Sequence, residues 1–282
     1  MMWDREFIVK RVASGILLSA LALLAVPSGA ADLEAIKERG TLKVAVAVLS
    51  PFVSKDENGA LIGHEIEATG ALADALGVAV DYVEKPFCEL AKAIVDDEAD
   101  IIASGYSNID RRRAMLAFTL PYHDTEYFLA MAKDVTKERR SLRALNDRAV
   151  SIGYQVGGVS GTVAKGEFPG ADLKGYDSFA QIMDNLRAGE IDGAVLFGPY
   201  LKEAKKMKGR KLGVPHEFAL TRTIEAFATQ QGNDALIDAV NAWIIQQDLA
   251  GYWDALEDKW LSDADGTAVS PPPYACPSAA TG

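Results

Sequence analysis

The side chains of this 282-residue chain that could do chemistry are few and widely spaced. Its three histidines, His64, His123 and His216, lie 59 and 93 residues apart. No pair has zinc-ligand spacing, so no metal is expected and each reads as a surface or loop histidine. Cys88 has no basic residue beside it to lower its pKa, which argues against a nucleophilic thiol. The glycines from Gly153 to Gly158 lack the Gly-Lys-Ser/Thr end of a phosphate loop. No catalytic residue and no cofactor is therefore expected. The remaining feature is a cation: Arg112, central in a run of three arginines, stands seven residues after Gly105. A guanidinium presents a planar fork that matches two carboxylate oxygens, a charge-assisted contact worth about 1.5 to 3 kcal/mol. Without further context the run reads as solvated charge.

Composition narrows the classes of protein this could be. An apolar share of 49% with 24% charged residues rules out a wholly disordered chain. Lys and Arg number 29 against 40 Asp and Glu, a net charge of -11, so neither nucleic acid nor an anionic membrane surface is an expected partner. Residues 1–30 carry Arg5, Lys10 and Arg11, then an uncharged apolar stretch, then Pro27-Ser28-Gly29-Ala30. That is the pattern of a signal peptide cleaved near Ala30, and its apolar run is shorter than the roughly 20 residues that span a bilayer. An exported protein is expected. Its removal leaves 26 basic and 38 acidic residues. Export permits a disulfide between Cys88 and Cys276, whose long loop would be worth up to about 5 kcal/mol. Cys276 lies in a Pro-rich tail, 262–282, expected to be disordered or extended unless tied down. A pinned tail and two free thiols both stand at this point.

From Asp32 onward short strands alternate with helices, as in α/β folds. Strands are expected over 42–48, 78–83 and 100–104, with helices over 65–76 and 89–95 between them. A second set follows: strands at 150–154 and 192–197 flank a helix opened by a Ser178-to-Gln181 capping box and closed by Gly189. The basic stretch 202–211 reads as a solvated helix face and loop. One more strand is expected at 224–229, then a helical region over 234–261 whose tryptophans belong to the core. Two such units suggest a cleft, and ligands of open α/β sheets gather beyond the carboxyl ends of the strands.

The residues at those strand ends resemble a known family. Gly40 to Val46, Pro51-Phe52, Asn58 to Gly63, and above all Ala99 to Gly105 followed by Arg112, Phe118, Pro121 and Tyr122, are similar to the family 3 periplasmic solute-binding proteins of ABC importers, of the polar amino-acid type. Gln155 to Gly161, Gly189 to Asp192, and Gly251-Tyr252-Trp253 to Trp260 extend the likeness to about 33–261. The resemblance implies a two-lobed type II binding-protein fold, with two parallel-rich sheets, flanking helices and a two-strand hinge. Lobe 1 would be 31–130 plus 224–261 and lobe 2 would be 131–223, with crossings at 127–132 and 224–229. The partners implied are a small anionic solute and an inner-membrane permease, and the protein is expected to be a monomer and not an enzyme.

Carried over residue by residue, the resemblance makes Arg112 the clamp for a ligand carboxylate. Ser107, two residues after Gly105, would offer its N–H and hydroxyl to the same group. Phe87 would pack on the ligand body, and the backbone at Gly158 and Val159 would finish the carboxylate cage. Phe52 belongs to the same pocket. Two departures follow. Phe197 stands where the family holds an Asp against the ligand ammonium, and Leu49 stands where an aromatic is usual. A buried ammonium without an anion costs several kcal/mol, so an apolar or aromatic organic acid is the expected ligand. A standard amino acid would need Glu89, Asp124, Glu126 or Glu225 to supply the missing charge. Relatives on this fold also include cyclohexadienyl dehydratases, and an accessory role beside a periplasmic dehydrogenase is a third alternative.

Overall fold

The computed structural model describes residues 33–216, 218–262 and Cys276; the expected export segment and all of the Pro-rich tail but Ser262 and Cys276 lie outside them. The unbroken Leu/Val/Ala run forms β1 (Thr41–Val46), with Leu42, Val44, Ala45 and Val46 all fully buried. A hairpin of β2 (Ser54–Lys55) and β3 (Leu61–Ile62) follows. The helix His64–Leu76 stops at Gly77, and β4 (Ala79–Glu84) and β5 (Ile101–Ile102) then flank β1 in parallel.

β6 (Leu116–Ala132) is the longest strand. Its 17 residues reach roughly 55 Å at the usual rise per residue, enough to run from one half of the molecule into the other. In the second half β7 (Ser151–Gln155) lies between β8 (Asp172–Tyr176) and β9 (Gly193–Phe197), all parallel. β10 (Leu212–Gly213) pairs with the end of β6, and β11 (Thr221–Gln230) returns antiparallel along it. The order is β4-β1-β5-β11-β6-β9-β7-β8, with β10 beside β6. The two parallel-rich halves expected from the sequence are thus present, joined edge to edge by the antiparallel pair β11 and β6. The crossing pair begins earlier than expected because β6 meets β11 from Leu116 to Tyr127 and β9 only from Tyr127 onward.

The capping box is formed: Ser178 Oγ accepts the Gln181 N–H, while Gln181 Oε1 accepts the N–H of Asp177, one residue before the cap. The helical region 234–261 is two helices, Asp234–Leu249 and Tyr252–Trp260, parted at Gly251. Trp243 and Trp253 are buried in a core that belongs to the first half, with Leu42, Val44 and Leu72. A second core runs through both halves and contains Phe52, Phe87 and Tyr106 together with Phe179, Phe197 and Tyr200.

Gly105 shows how closely this second core approaches the backbone. Its φ is +54°, and a Cβ there would lie 2.9 Å from the Phe52 ring. Gly59 has a φ of +83° but open space around it. Gly105→Ala is expected to lose about 2 to 3 kcal/mol in urea unfolding and Gly59→Ala about 1 kcal/mol, the difference being the clash. Equal losses would contradict the packing of Phe52 against Gly105.

Candidate functional site

Arg112 lies on the short helix Asp110–Arg113 and is only 3% exposed. One end of its guanidinium donates to the Ser107 carbonyl at 2.8 Å and the other to the Gly157 carbonyl at 3.2 Å. Its flat face lies 3.7 Å from the centre of the Tyr106 ring and 5.5 Å from that of Phe87. Burial pulls its pKa below the ordinary value, and the neighbouring Tyr106 oxygen pulls it back up. Among the described residues it forms no ion pair. A guanidinium taken this far from water without a carboxylate has only carbonyls and ring faces to offset the desolvation.

The residues singled out in the sequence fall into two adjoining groups. Phe87 and Ser107 touch Arg112 directly. Gly105, Phe52 and Phe197 form the second group, with the Phe52 and Phe197 rings 6.0 Å apart and Gly105 against Phe52. Leu49 is buried in the same apolar core, in the turn where it pairs with Val53. Gly158 caps the helix Val159–Glu167, and its N–H donates to the Gln155 carbonyl at 3.2 Å. In this arrangement the second-half turn gives Arg112 a carbonyl, that of Gly157. Arg111 donates to the same carbonyl at 2.6 Å.

Ser107 does not offer its hydroxyl to the clamp. It donates to Glu225 Oε1 at 3.0 Å, and the Thr223 hydroxyl donates to that oxygen at 3.0 Å as well. Glu225 is 1% exposed, and its Oε2 has no hydrogen-bond partner among the described residues. Of the four acids that the sequence could offer as a missing anion, Glu225 is the one held against the Ser107 and Arg112 group. Burial raises its pKa to about 7, opposed by the charge of His123 and by the hydroxyls of Thr125, Ser107 and Thr223.

The histidine expectation fails for two of three. His64 is fully buried between Phe52 and Trp253, and His123 is half-buried with Nδ1 2.6 Å from Glu257 Oε1. The cause is the crossing pair: His123 lies opposite Glu225 on β11, so the strand carries it inward. Burial opposes its charged form, yet Glu257 and Glu225 raise its pKa. Glu65 supports the site from behind, accepting the Gly105 N–H at 3.1 Å and the Tyr122 hydroxyl at 2.8 Å. Tyr106, Tyr127, Gly157 and Glu65 were not foreseen. Tyr106 and Gly157 were detectable as neighbours of named residues. Glu65 carries no local signal, being an acid beside an apolar helix face. Among the described residues, no group of His, Cys, Asp and Glu could hold a metal ion.

Two spaces adjoin these groups. Between the halves, a void of about 30 Å³ is lined by Val48, Phe87, Gln155, Asp177 and Gln181 among others, room for about one water. A wider opening of about 410 Å³ lies on the far side of Phe52 and Phe197, with His123, Thr125, Lys202 and Arg222 also on its walls. The disulfide is closed: Cys88 is bonded to Cys276, 188 residues away.

A two-halved α/β molecule with a hinge pair and an arginine buried at the interface belongs to the class of type II periplasmic binding proteins. Residues 42–263 match the bacterial extracellular solute-binding proteins, family 3, and the chain belongs to that family. It is 26% identical over 230 residues to the L-cystine-binding protein of Escherichia coli strain K12, covering 81% of this chain and 85% of that one. It is also 26% identical over 276 residues to the L-arginine-binding protein of Pseudomonas aeruginosa, covering 87% and 95%. Among solved structures, an ancestral amino acid-binding protein described as a precursor of cyclohexadienyl dehydratase is 29% identical with a TM-score of 0.74, over 81% of this chain and 99% of that one. These relatives are binding proteins rather than enzymes. No helix of the described residues is long and apolar enough to cross a membrane.

Because its folded pKa is raised, Glu225 takes up a proton on folding between pH 4.5 and 7. The stability this group allows is complete below pH 4.5 and is lost as pH rises through 7. Glu225→Gln should therefore melt close to wild type at pH 5 and be more stable at pH 8, by about 3 kcal/mol at most. A Glu225→Gln gain that does not grow with pH would contradict the assignment.

Proposed function

We propose that this chain is the exported solute-binding component of an ABC importer, which captures a small carboxylate-bearing molecule between its lobes. The observation that carries this reading is Arg112, buried at the interface, without an ion pair among the described residues and capped by a carbonyl of the opposite half. On this reading 31–130 with 224–261 forms one lobe and 131–223 the other, with residues 1–30 removed on export. Opening about β6 and β11 withdraws Gly157 and frees two guanidinium N–H groups. A ligand carboxylate then takes the place of the carbonyl, and closure presents the lobes to the permease.

The ligand body is apolar or aromatic. Phe197 removes the acid that would meet an ammonium, and its neighbours Phe52, Tyr127, Phe179 and Tyr200 are rings. The wide opening beyond Phe52 and Phe197 gives such a body room once those rings turn. Glu225 favours a second reading. Its Oε2, without a hydrogen-bond partner among the described residues, is an acceptor in want of a donor, and an aromatic amino acid could place its ammonium there. The amino-acid ligands named for the relatives support that alternative.

A thermal-shift panel separates the readings, since a ligand of the folded state raises the melting temperature. Phenylacetate and phenylpropionate are expected to stabilise the protein, with arginine and glutamine inert. Arg112→Gln is expected to weaken binding about 10- to 100-fold, the loss of one charge-assisted contact. Stabilisation by phenylalanine that vanishes in Glu225→Gln would favour the zwitterion. Equal binding by wild type and Arg112→Gln would overturn both.

A further inference from the structure

Cys88 sits in the turn Phe87–Glu89 that follows β4, in the first half. Gly157, in the second half, approaches it so closely that a Cβ on Gly157 would lie 2.9 Å from the Cys88 Cα. The φ of +76° at Gly157 aims its carbonyl at Arg111 and Arg112. Cys88 is therefore part of the contact that covers the clamp.

The disulfide brings a distant part of the chain to this contact. Cys276 lies beyond the residues that match the family, and it is 7% exposed. Its backbone N–H donates to Asp177 Oδ1 at 3.1 Å. Asp177 belongs to the second half, between β8 and the helix Phe179–Ala188. Its own N–H is fixed by Gln181 Oε1, which orients the residue at the head of that helix. Cys276 is thus bonded covalently to one half and hydrogen-bonded to a carboxylate of the other, beside the void lined by Phe87 and Asp177.

We propose that Cys276 is a clasp between the lobes: its disulfide to Cys88 and its hydrogen bond to Asp177 bias the hinge toward closure and hold Gly157 over Arg112. The Asp177 contact must break when the halves part, whereas the disulfide moves with the first half. A hydrogen bond to a charged acceptor is worth enough to shift a two-state equilibrium about tenfold or more. The clasp sets how readily the clamp is exposed, and so the affinity and release of whatever the cleft holds. It does not depend on the identity of the solute.

Asp177→Ala tests the proposal with the disulfide intact, which a free-thiol assay on the unfolded protein verifies. Small-angle X-ray scattering of the full exported chain, without added solute, reads the opening. Hydrogen exchange at residues 155–158 reads the cover over Arg112. Wild type is expected to scatter as the closed arrangement. Asp177→Ala should show a larger radius of gyration and about tenfold faster exchange at 155–158, with Cys88→Ser/Cys276→Ser at least as open. Asp184→Ala, an exposed acid further along the same helix, should change neither. Asp177→Ala that scatters and exchanges like wild type would overturn the clasp, whether or not the double serine variant folds. Wild type that already scatters as an open form would overturn it too.

Discussion

A guanidinium buried, among the described residues, without a carboxylate is the constraint around which the site is arranged. Arg112 loses its hydration and gains two carbonyls and two ring faces, which offset the loss only if all are held in place. The Ser107 carbonyl is fixed by the bridge between Ser107 and Glu225, and the Tyr106 ring by its stacking on Phe118 at 6.2 Å. The Gly157 carbonyl belongs to the other half. Closure and the satisfaction of Arg112 are thus one event, and a carboxylate that satisfied the cation better than a carbonyl would convert its binding into closure.

The crossing pair makes that coupling mechanical. β6 carries His123 and Tyr127 on one strand, and β11 carries Glu225 opposite His123, so the hinge itself lines the floor of the site. The Tyr127 ring packs on Phe197 of the second half, 5.8 Å between centres. The core that passes through both halves is aromatic where they meet, whereas the core behind β1 belongs to the first half alone. An interface of rings is apolar enough to close and has few directional contacts to prevent it from opening. Directional contacts across it include those of Arg111, Arg112 and Cys276 and that of Lys202 Nζ on the Ser262 carbonyl.

Much of this was legible in the sequence because short-range chemistry dictates it. The Ser178 and Gln181 box and the helix stops at Gly77 and Gly189 are local signals and stand where expected, while the strand runs agree in place but not in length, Ile101–Ile102 being shorter than expected and Thr221–Gln230 longer. The spacing of Arg112 from Gly105 singled out a guanidinium that is in fact buried, with Phe87 over it and Phe52 and Phe197 in the adjoining group. What was not legible depends on pairing across the sheet. His123 reads as a loop residue until β11 brings Glu225 opposite it. Nothing local marks Glu65, which takes its role only where the Gly105 N–H and the Tyr122 hydroxyl meet it. Whether Cys88 and Cys276 are bonded or free is not legible either, because the meeting of two sulfurs 188 residues apart is a fact of the tertiary fold.

The central claim is that Arg112 holds a small carboxylate. Mass spectrometry of the protein purified under native conditions from its own periplasm tests this most directly, by identifying what is released on denaturation. One small carboxylate-bearing molecule per chain is expected, lost from Arg112→Gln. A stoichiometric molecule without a carboxylate, or one retained by Arg112→Gln, would contradict it.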